Sequence, residues 1–170
     1  MTITVRRAEK SDAQPLALVG AATFLESYAG VIDGAALVRH CATRHTAEFY
    51  AAALADSAQA LWLAEIDRAP VGYLHLTPPD LPVELSEADL EIKRIYVLSS
   101  LHRTGLGRRL LGEAEACARR AGADRLLLGV YKENARALAF YERVGFEIAG
   151  ERAFDVGGVA YQDWVLAKSV

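Results

Sequence analysis

Between Leu90 and Leu111 the chain reads LEIKRIYVLSSLHRTGLGRRLL, and no other segment constrains the fold as much. Leu90 and Ile92 alternate with polar residues, as do Ile95 and Val97, but the apolar parity slips by one around Lys93 and Arg94. An extra residue in a strand reverses which side chains face inward, so the slip predicts a β-bulge. The strand enters a loop with Gly105 and Gly107, which opens an amphipathic helix running to about Ala121 and stopped by Gly122. Glycine allows close backbone approach and unusual dihedrals. The first amides of a helix lack partners, and the helix dipole adds partial positive charge there. These features predict an anion site, most naturally for phosphate, with Arg103, Arg108 and Arg109 around it. On the loop alone, an unliganded strand-to-helix turn fits equally.

Two common phosphate loops fail on residue identity. A Walker loop needs Gly-Lys-Ser/Thr, whereas Arg108 and Arg109 follow Gly107. A dinucleotide fingerprint needs a third small residue, and Leu110 stands in its place.

The rest of the chain reads as alternating strands and helices. Ile3 to Arg7 is a strand, and Ser11 or Asp12 caps a helix carrying Leu16, Val19 and Phe24. Gly30 and Gly34 end it, and Ala35 to Ala55 is helical in one or two pieces. Ala60 to Ile66 and Val71 to Thr77 form a hairpin about Asp67 and Arg68, and Pro78, Pro79 and Pro82 mark a loop. Arg125 to Val130 is a buried strand, and Asn134 to Val144 a helix ended by Gly145. Phe146 to Val156 and Val159 to Leu166 pair through Gly157 and Gly158. No repeat or linker divides residues 1–170, and 170 residues suit one α/β (α+β) domain.

Composition narrows the partners. A net charge of −3 gives no basic footprint for nucleic acid. No apolar run approaches the roughly 18 residues that span a bilayer, so no membrane partner is expected. The N-terminus MTITVRRAEKSD lacks a signal core, which makes the cytoplasm the expected location. Cys41 and Cys117 read as free, packed thiols, and no Cys/His cluster has zinc spacing, so no metal is expected. His40 and His45 flank an alanine-rich stretch and read as surface or satisfied residues.

His102-Arg103-Thr104-Gly105-Leu106-Gly107 resembles the acetyl-CoA pyrophosphate loop of the GNAT acetyltransferases, Gln/Arg-x-x-Gly-x-Gly/Ala, with histidine in the first place. The resemblance implies that this loop and Arg108 bind acetyl-CoA, the co-substrate, chiefly through backbone amides. It identifies the parity slip with the family's bulged strand, where the backbone of Ile95, Tyr96 and Val97 pairs with the pantetheine arm. GVYKENARALAFYERVGF is a second match: Asn134 corresponds to a cofactor-contacting asparagine, and Tyr141 to the tyrosine near the cofactor sulfur. Seven residues are about two helical turns, so the two share a face. Read without the family, Tyr141 fits as well as a core aromatic beside Phe140. The implied fold is a mixed, mostly antiparallel sheet of about seven strands with a bulged central strand, flanked by about four helices. A homodimer is also in keeping with the family.

The implied reaction sets chemical requirements. Neutralising an alkyl ammonium of pKa about 10.4 near neutral pH costs roughly 4 kcal/mol, so a base, a water chain or a desolvating pocket must help. A backbone amide near Ile95 is expected to stabilise the carbonyl oxygen. Complete proton transfer from a phenol to a thiolate is uphill by roughly 2 kcal/mol, so Tyr141 is expected to hydrogen-bond the departing thiolate. Some family members place a glutamate five residues before the asparagine, but Gly129 stands there. Glu91 is the replacement candidate, acting through water, and reads equally as an ion-pair partner of Lys93 or Arg94. Asp80, Glu84, Glu87, Asp89 and Glu91 lie together without a basic residue between them, as an attractant for a polycation or as a solvated acidic loop. LEIKRIYV and the stretch from Phe154 to Asp163 resemble most the bacterial spermidine/spermine N-acetyltransferases, whose early Thr-Phe-x-x-x-Tyr segment borders the acceptor cleft. Phe24, Tyr28 and Glu91 are therefore the expected substrate contacts and a polyamine the expected amine. Protein N-termini, lysines, aminoglycosides and small amino acids stay open. A different class fits the same residues: a non-catalytic acyl-CoA sensor or scaffold.

Overall fold

The computed structural model describes residues 2–170. The elements are β1 (Ile3–Arg7), α1 (Ala13–Tyr28), α2 (Gly34–Arg44), α3 (Ala47–Ala55), β2 (Ala60–Ile66), β3 (Ala69–Thr77), β4 (Leu90–Val97), α4 (Leu106–Ala121), β5 (Arg125–Tyr131), α5 (Ala135–Arg143), β6 (Glu147–Val156) and β7 (Val159–Ser169). The strands form one seven-stranded sheet in the order β1-β2-β3-β4-β5-β7-β6. Every pairing is antiparallel except β4 with β5. Among the described residues five α-helices flank the sheet, because the region from 35 to 55 divides into two pieces, each with its own cap. Asp33 accepts from the Ala36 amide to start α2, and Thr46 accepts from the Phe49 amide to start α3.

The hairpin turns follow local chemistry. Asp67 and Arg68 both have positive φ, 50° and 69°, which a two-residue turn between twisted strands requires. One sheet face packs under α4, where Leu110, Leu111, Ala114 and Ala118 meet Leu74, Ile92, Leu126 and Leu128. The other packs under α1 and α3, where Leu16, Val19 and Tyr50 meet Leu61, Leu63 and Tyr73. A smaller cluster of Phe24, Ile32, Leu37 and Val156 joins α1 and α2 to the end of β6. Cys117 and Cys41 are free and half-buried against the first and third clusters.

Two irregularities make the site. Leu76 pairs with Ile92 but His75 pairs with Arg94, so Lys93 is the extra residue of the bulge. β4 and β5 pair only at Leu90↔Leu126 and Glu91↔Leu127, after which they part. Among the described residues, no helix is long and apolar enough to cross a membrane. His40 and His45 are not surface residues: each is 5% exposed, inside the aromatic packing between α1, α2 and α3. His45 Nδ1 lies 2.9 Å from the Tyr50 hydroxyl, so its partner is another buried group rather than water.

Candidate active site

The gap between β4 and β5 widens into a cleft of about 700 Å³. Its floor is Ile92 to Val97 on one side and Leu128 to Val130 on the other, and its mouth is the loop at 102–108. One edge of β4 is paired with β3 through Leu74↔Ile95, Tyr73↔Tyr96 and Gly72↔Val97. The other edge faces the cleft, with backbone groups available to an extended ligand as they would be to a further strand.

The loop is shaped by two residues of positive φ, Arg103 at 67° and Gly105 at 83°. A Cβ on Gly105 would meet no protein atom within 4 Å, so the space beyond its α-carbon is open, and glycine is favoured there by its backbone conformation. α4 starts immediately after it, presenting its unpaired first amides to the mouth of the cleft. His102 ties the loop to β4. Arg136 can only donate, so His102 Nδ1 accepts from it, and Nε2–H donates to the Val97 carbonyl at 2.9 Å. Arg103 and Arg108 line the cleft with Gly105 and Gly107. The Thr104 and Leu106 side chains turn elsewhere: the Thr104 hydroxyl donates to the Leu101 carbonyl at 2.7 Å, and Leu106 is buried in the core.

Asn134 and Tyr141 both line the cleft, as their spacing on α5 predicts. Asn134 caps that helix, its Oδ1 accepting from the Ala137 amide at 3.1 Å. Tyr141 combines both sequence readings. Its ring packs against Phe140 and Phe146, with centroids 5.3 and 5.4 Å away, while it also forms part of the cleft wall. Burial pushes its phenol well above the ordinary range, so the hydroxyl stays protonated.

A smaller chamber of about 60 Å³ adjoins the cleft and shares Tyr28, Lys93, Arg94, Tyr96 and Gly129 with it. Its other walls include Phe24, His40, Tyr131, Phe154 and Tyr161. Phe24 stacks on His40 with centroids 4.4 Å apart. Burial, then the nearby Arg94 and Arg44 charges, lower His40 to about 4, so the imidazole is neutral. Arg152 and Asp163 complete the wall, with Arg152 Nε donating to Asp163 Oδ2 at 3.1 Å. Burial raises the Asp163 carboxyl, against the opposing pull of Arg152.

Of the three residues expected to contact substrate, Phe24 lines the chamber and Tyr28 both cavities, whereas Glu91 lies outside them. Glu91 is 1% exposed and lines neither cavity. Its carboxylate accepts from the Asp80 amide at 2.8 Å and lies 3.3 Å from Lys93 Nζ and 3.9 Å from Arg152 Nη1. The acidic loop is also partly engaged internally, since Asp89 takes two hydrogen bonds from Arg125, at 2.6 and 3.1 Å. No sequence motif marks Arg94, Arg152 or Asp163 as a site residue. A signal for two of them was present: the two-residue turn at Gly157-Gly158 sets a register in which Arg152 faces Asp163.

Residues 22–146 match the sequence model of the acetyltransferase (GNAT) family. An uncharacterized N-acetyltransferase of Mycobacterium tuberculosis is 31% identical over 160 residues, covering 94% of this chain and 99% of that protein. The human protein N-acetyltransferase 8 is 28% identical over 103 residues, 61% of this chain and 45% of its own. Among solved structures, PaiA N-acetyltransferase of Thermoplasma acidophilum, in complex with coenzyme A, superposes with a TM-score of 0.81 at 20% identity, all of each chain being covered. The chain belongs to the acetyltransferase (GNAT) family, and by that membership is an acetyl-CoA-dependent N-acetyltransferase.

Proposed function

We propose that the protein acetylates a small primary amine by direct attack on acetyl-CoA in a ternary complex. The observation that carries this reading is the convergence on one cleft of the open β4 edge, the glycine loop and Tyr141, with a separate chamber beside them. The loop amides with Arg103 and Arg108 would hold the pyrophosphate, and the backbone of Ile95 to Val97 the pantetheine arm. The amine enters from the chamber. Asp163, at its wall, takes the proton from the ammonium through water, in place of a carboxylate at position 129. The free amine attacks the thioester carbon and a β4 amide stabilises the oxyanion; on collapse the C–S bond breaks, the Tyr141 hydroxyl donates a hydrogen bond to the departing thiolate, and the nitrogen's remaining proton passes to the sulfur to give the thiol. A raised phenol fits that late donor role better than early proton release.

Resemblance to the spermidine/spermine subgroup puts polyamines among the acceptors to test. Their charge-based support is weaker than the bare sequence suggested, because Asp89 and Glu91 already have internal partners. Initial-rate kinetics with thiol release as the readout test the proposal. Intersecting double-reciprocal lines are expected for a ternary complex. Parallel lines would indicate an acetylated enzyme and exclude direct attack. Acetyl-CoA binding with no thiol release across polyamines, peptides, aminoglycosides and amino acids would favour a sensor instead.

A further inference from the structure

Arg94 is a charge without a counter-ion. Its neighbours on the chamber wall are matched: Lys93 lies 3.3 Å from Glu91, and Arg152 lies 3.1 Å from Asp163 and 3.9 Å from Glu91. Among the described residues, no carboxylate comes within ion-pair distance of Arg94. Its guanidinium lies over the rings of Phe49 and Tyr50, 4.6 and 5.8 Å from their centroids. Its Nη1 is buried with no hydrogen-bond partner. The titratable groups facing it are His40, His45 and His75, all held neutral, and the phenols of Tyr50, Tyr73 and Tyr96. None of these can neutralise it.

A buried cationic donor left unpaired is unfavourable, so the arrangement calls for an anion from outside the chain. Arg94 lines both the cleft and the chamber, whereas the arginines suited to the cofactor's phosphates, Arg103 and Arg108, sit on the loop and helix after β4 and line the cleft but not the chamber. The missing anion therefore belongs to the acceptor. We infer that the acceptor is an amine that also carries a carboxylate, of the amino-acid class, and that Arg94 binds its acid group. This rests on the acetyl-transfer reading above. A guanidinium presents paired N–H donors that match a planar carboxylate. Asp163, which also lines the chamber, suits the ammonium end of the same molecule, and the chamber's aromatic rings, among them Phe24, Phe154 and Tyr161, suit an apolar side chain. A polyamine would leave Arg94 unpaired and bring like charge to it.

Matched pairs test this with coenzyme A release as the readout: phenylalanine against phenylalanine amide and phenethylamine, lysine against cadaverine, and spermidine beside them. The acids are expected to show kcat/KM at least about tenfold above their uncharged or decarboxylated counterparts. In Arg94→Gln, KM for the acids should rise until the discrimination is lost, while the calorimetric Kd for acetyl-CoA stays within about twofold. Wild-type protein decides alone if that variant does not fold. Thiol release with amides, diamines or spermidine equal to or above that with the acids overturns the inference and leaves acetyl transfer standing. Absence of thiol release with every amine, despite acetyl-CoA binding, overturns the acetyl-transfer reading and this inference together.

Discussion

The Arg152 guanidinium occupies the space in front of Gly129: a Cβ built on Gly129 would overlap Arg152 Cζ. The position where the family resemblance implies a glutamate base is thus filled by a cation reaching across from β6. Arg152 is held there by Asp163 and by the Phe154 ring, whose centroid lies 4.6 Å away. Even a methyl group at 129 must displace it. Gly129→Ala should destabilise the fold by about 1–3 kcal/mol and lower kcat/KM. Adding Arg152→Ala should recover part of the stability loss, a non-additivity that urea melts of the two single variants and the double variant will measure.

Removing only the Tyr141 hydroxyl separates packing from chemistry. Tyr141→Phe keeps the ring between Phe140 and Phe146. Its kcat should fall by about 10²- to 10⁴-fold with little change in melting temperature or in acetyl-CoA affinity. Single-turnover rates would show whether the loss is in the chemical step.

At Gly105 the backbone has a φ of 83° and open space beyond the α-carbon. Gly105→Val should cost about 1–2 kcal/mol in backbone strain. In the proposed cofactor pose the side chain would also stand in the path of the phosphate. Acetyl-CoA affinity should therefore drop by more than the stability change implies, which calorimetry will show.

Glu91→Gln should behave as a structural change. The carboxylate bridges the Asp80 amide and Lys93 from behind the cleft. Losing its charge should destabilise the protein by about 1–3 kcal/mol and leave the shape of the pH–rate profile unaltered. Displacement or loss of the acidic limb in this variant would return Glu91 to the role of base.

Acid stability should fall early. His45 and His75 are lowered to about 3, and His40 to about 4, first by burial and then by Arg94. Unfolded imidazoles take protons near pH 6.5. Above that pH both states are neutral and nothing is lost. Below it the unfolded chain binds protons that the folded chain refuses, so stability declines by up to about 1.4 kcal/mol per pH unit for each imidazole. Melting temperatures between pH 7.5 and 5 should show a steady drop, and a flat profile would count against three buried neutral imidazoles.

The cofactor side was legible in the sequence because its signals are local. A parity slip, two glycines before a helix and a seven-residue spacing can all be read along a few turns of chain. The chamber was not. Its charges come from Arg94, Arg152 and Asp163, on three different strands, and only the fold brings them to one wall. Composition cannot reveal which acids already have partners: the Lys93 partner read for Glu91 is present at 3.3 Å, but the Arg125 side chain that engages Asp89 and the Asp80 amide that engages Glu91 are brought in by the fold. For the histidines the sequence leaves surface and satisfied positions both open; burial among aromatics, and for His45 the Tyr50 hydroxyl, decide between them, and only the fold places those groups.

The short pairing of β4 with β5 has a consequence for cohesion. On its strand-to-strand contacts alone, the protein is two half-sheets sharing only Leu90↔Leu126 and Glu91↔Leu127, with α4 packed beneath them. An extended cofactor along the free edge of β4 would act as the absent strand. Backbone amides there should exchange with deuterium quickly in the empty protein and slowly in the loaded one. The melting temperature should climb with acetyl-CoA concentration, so that this enzyme would owe part of its mechanical unity to the molecule it consumes.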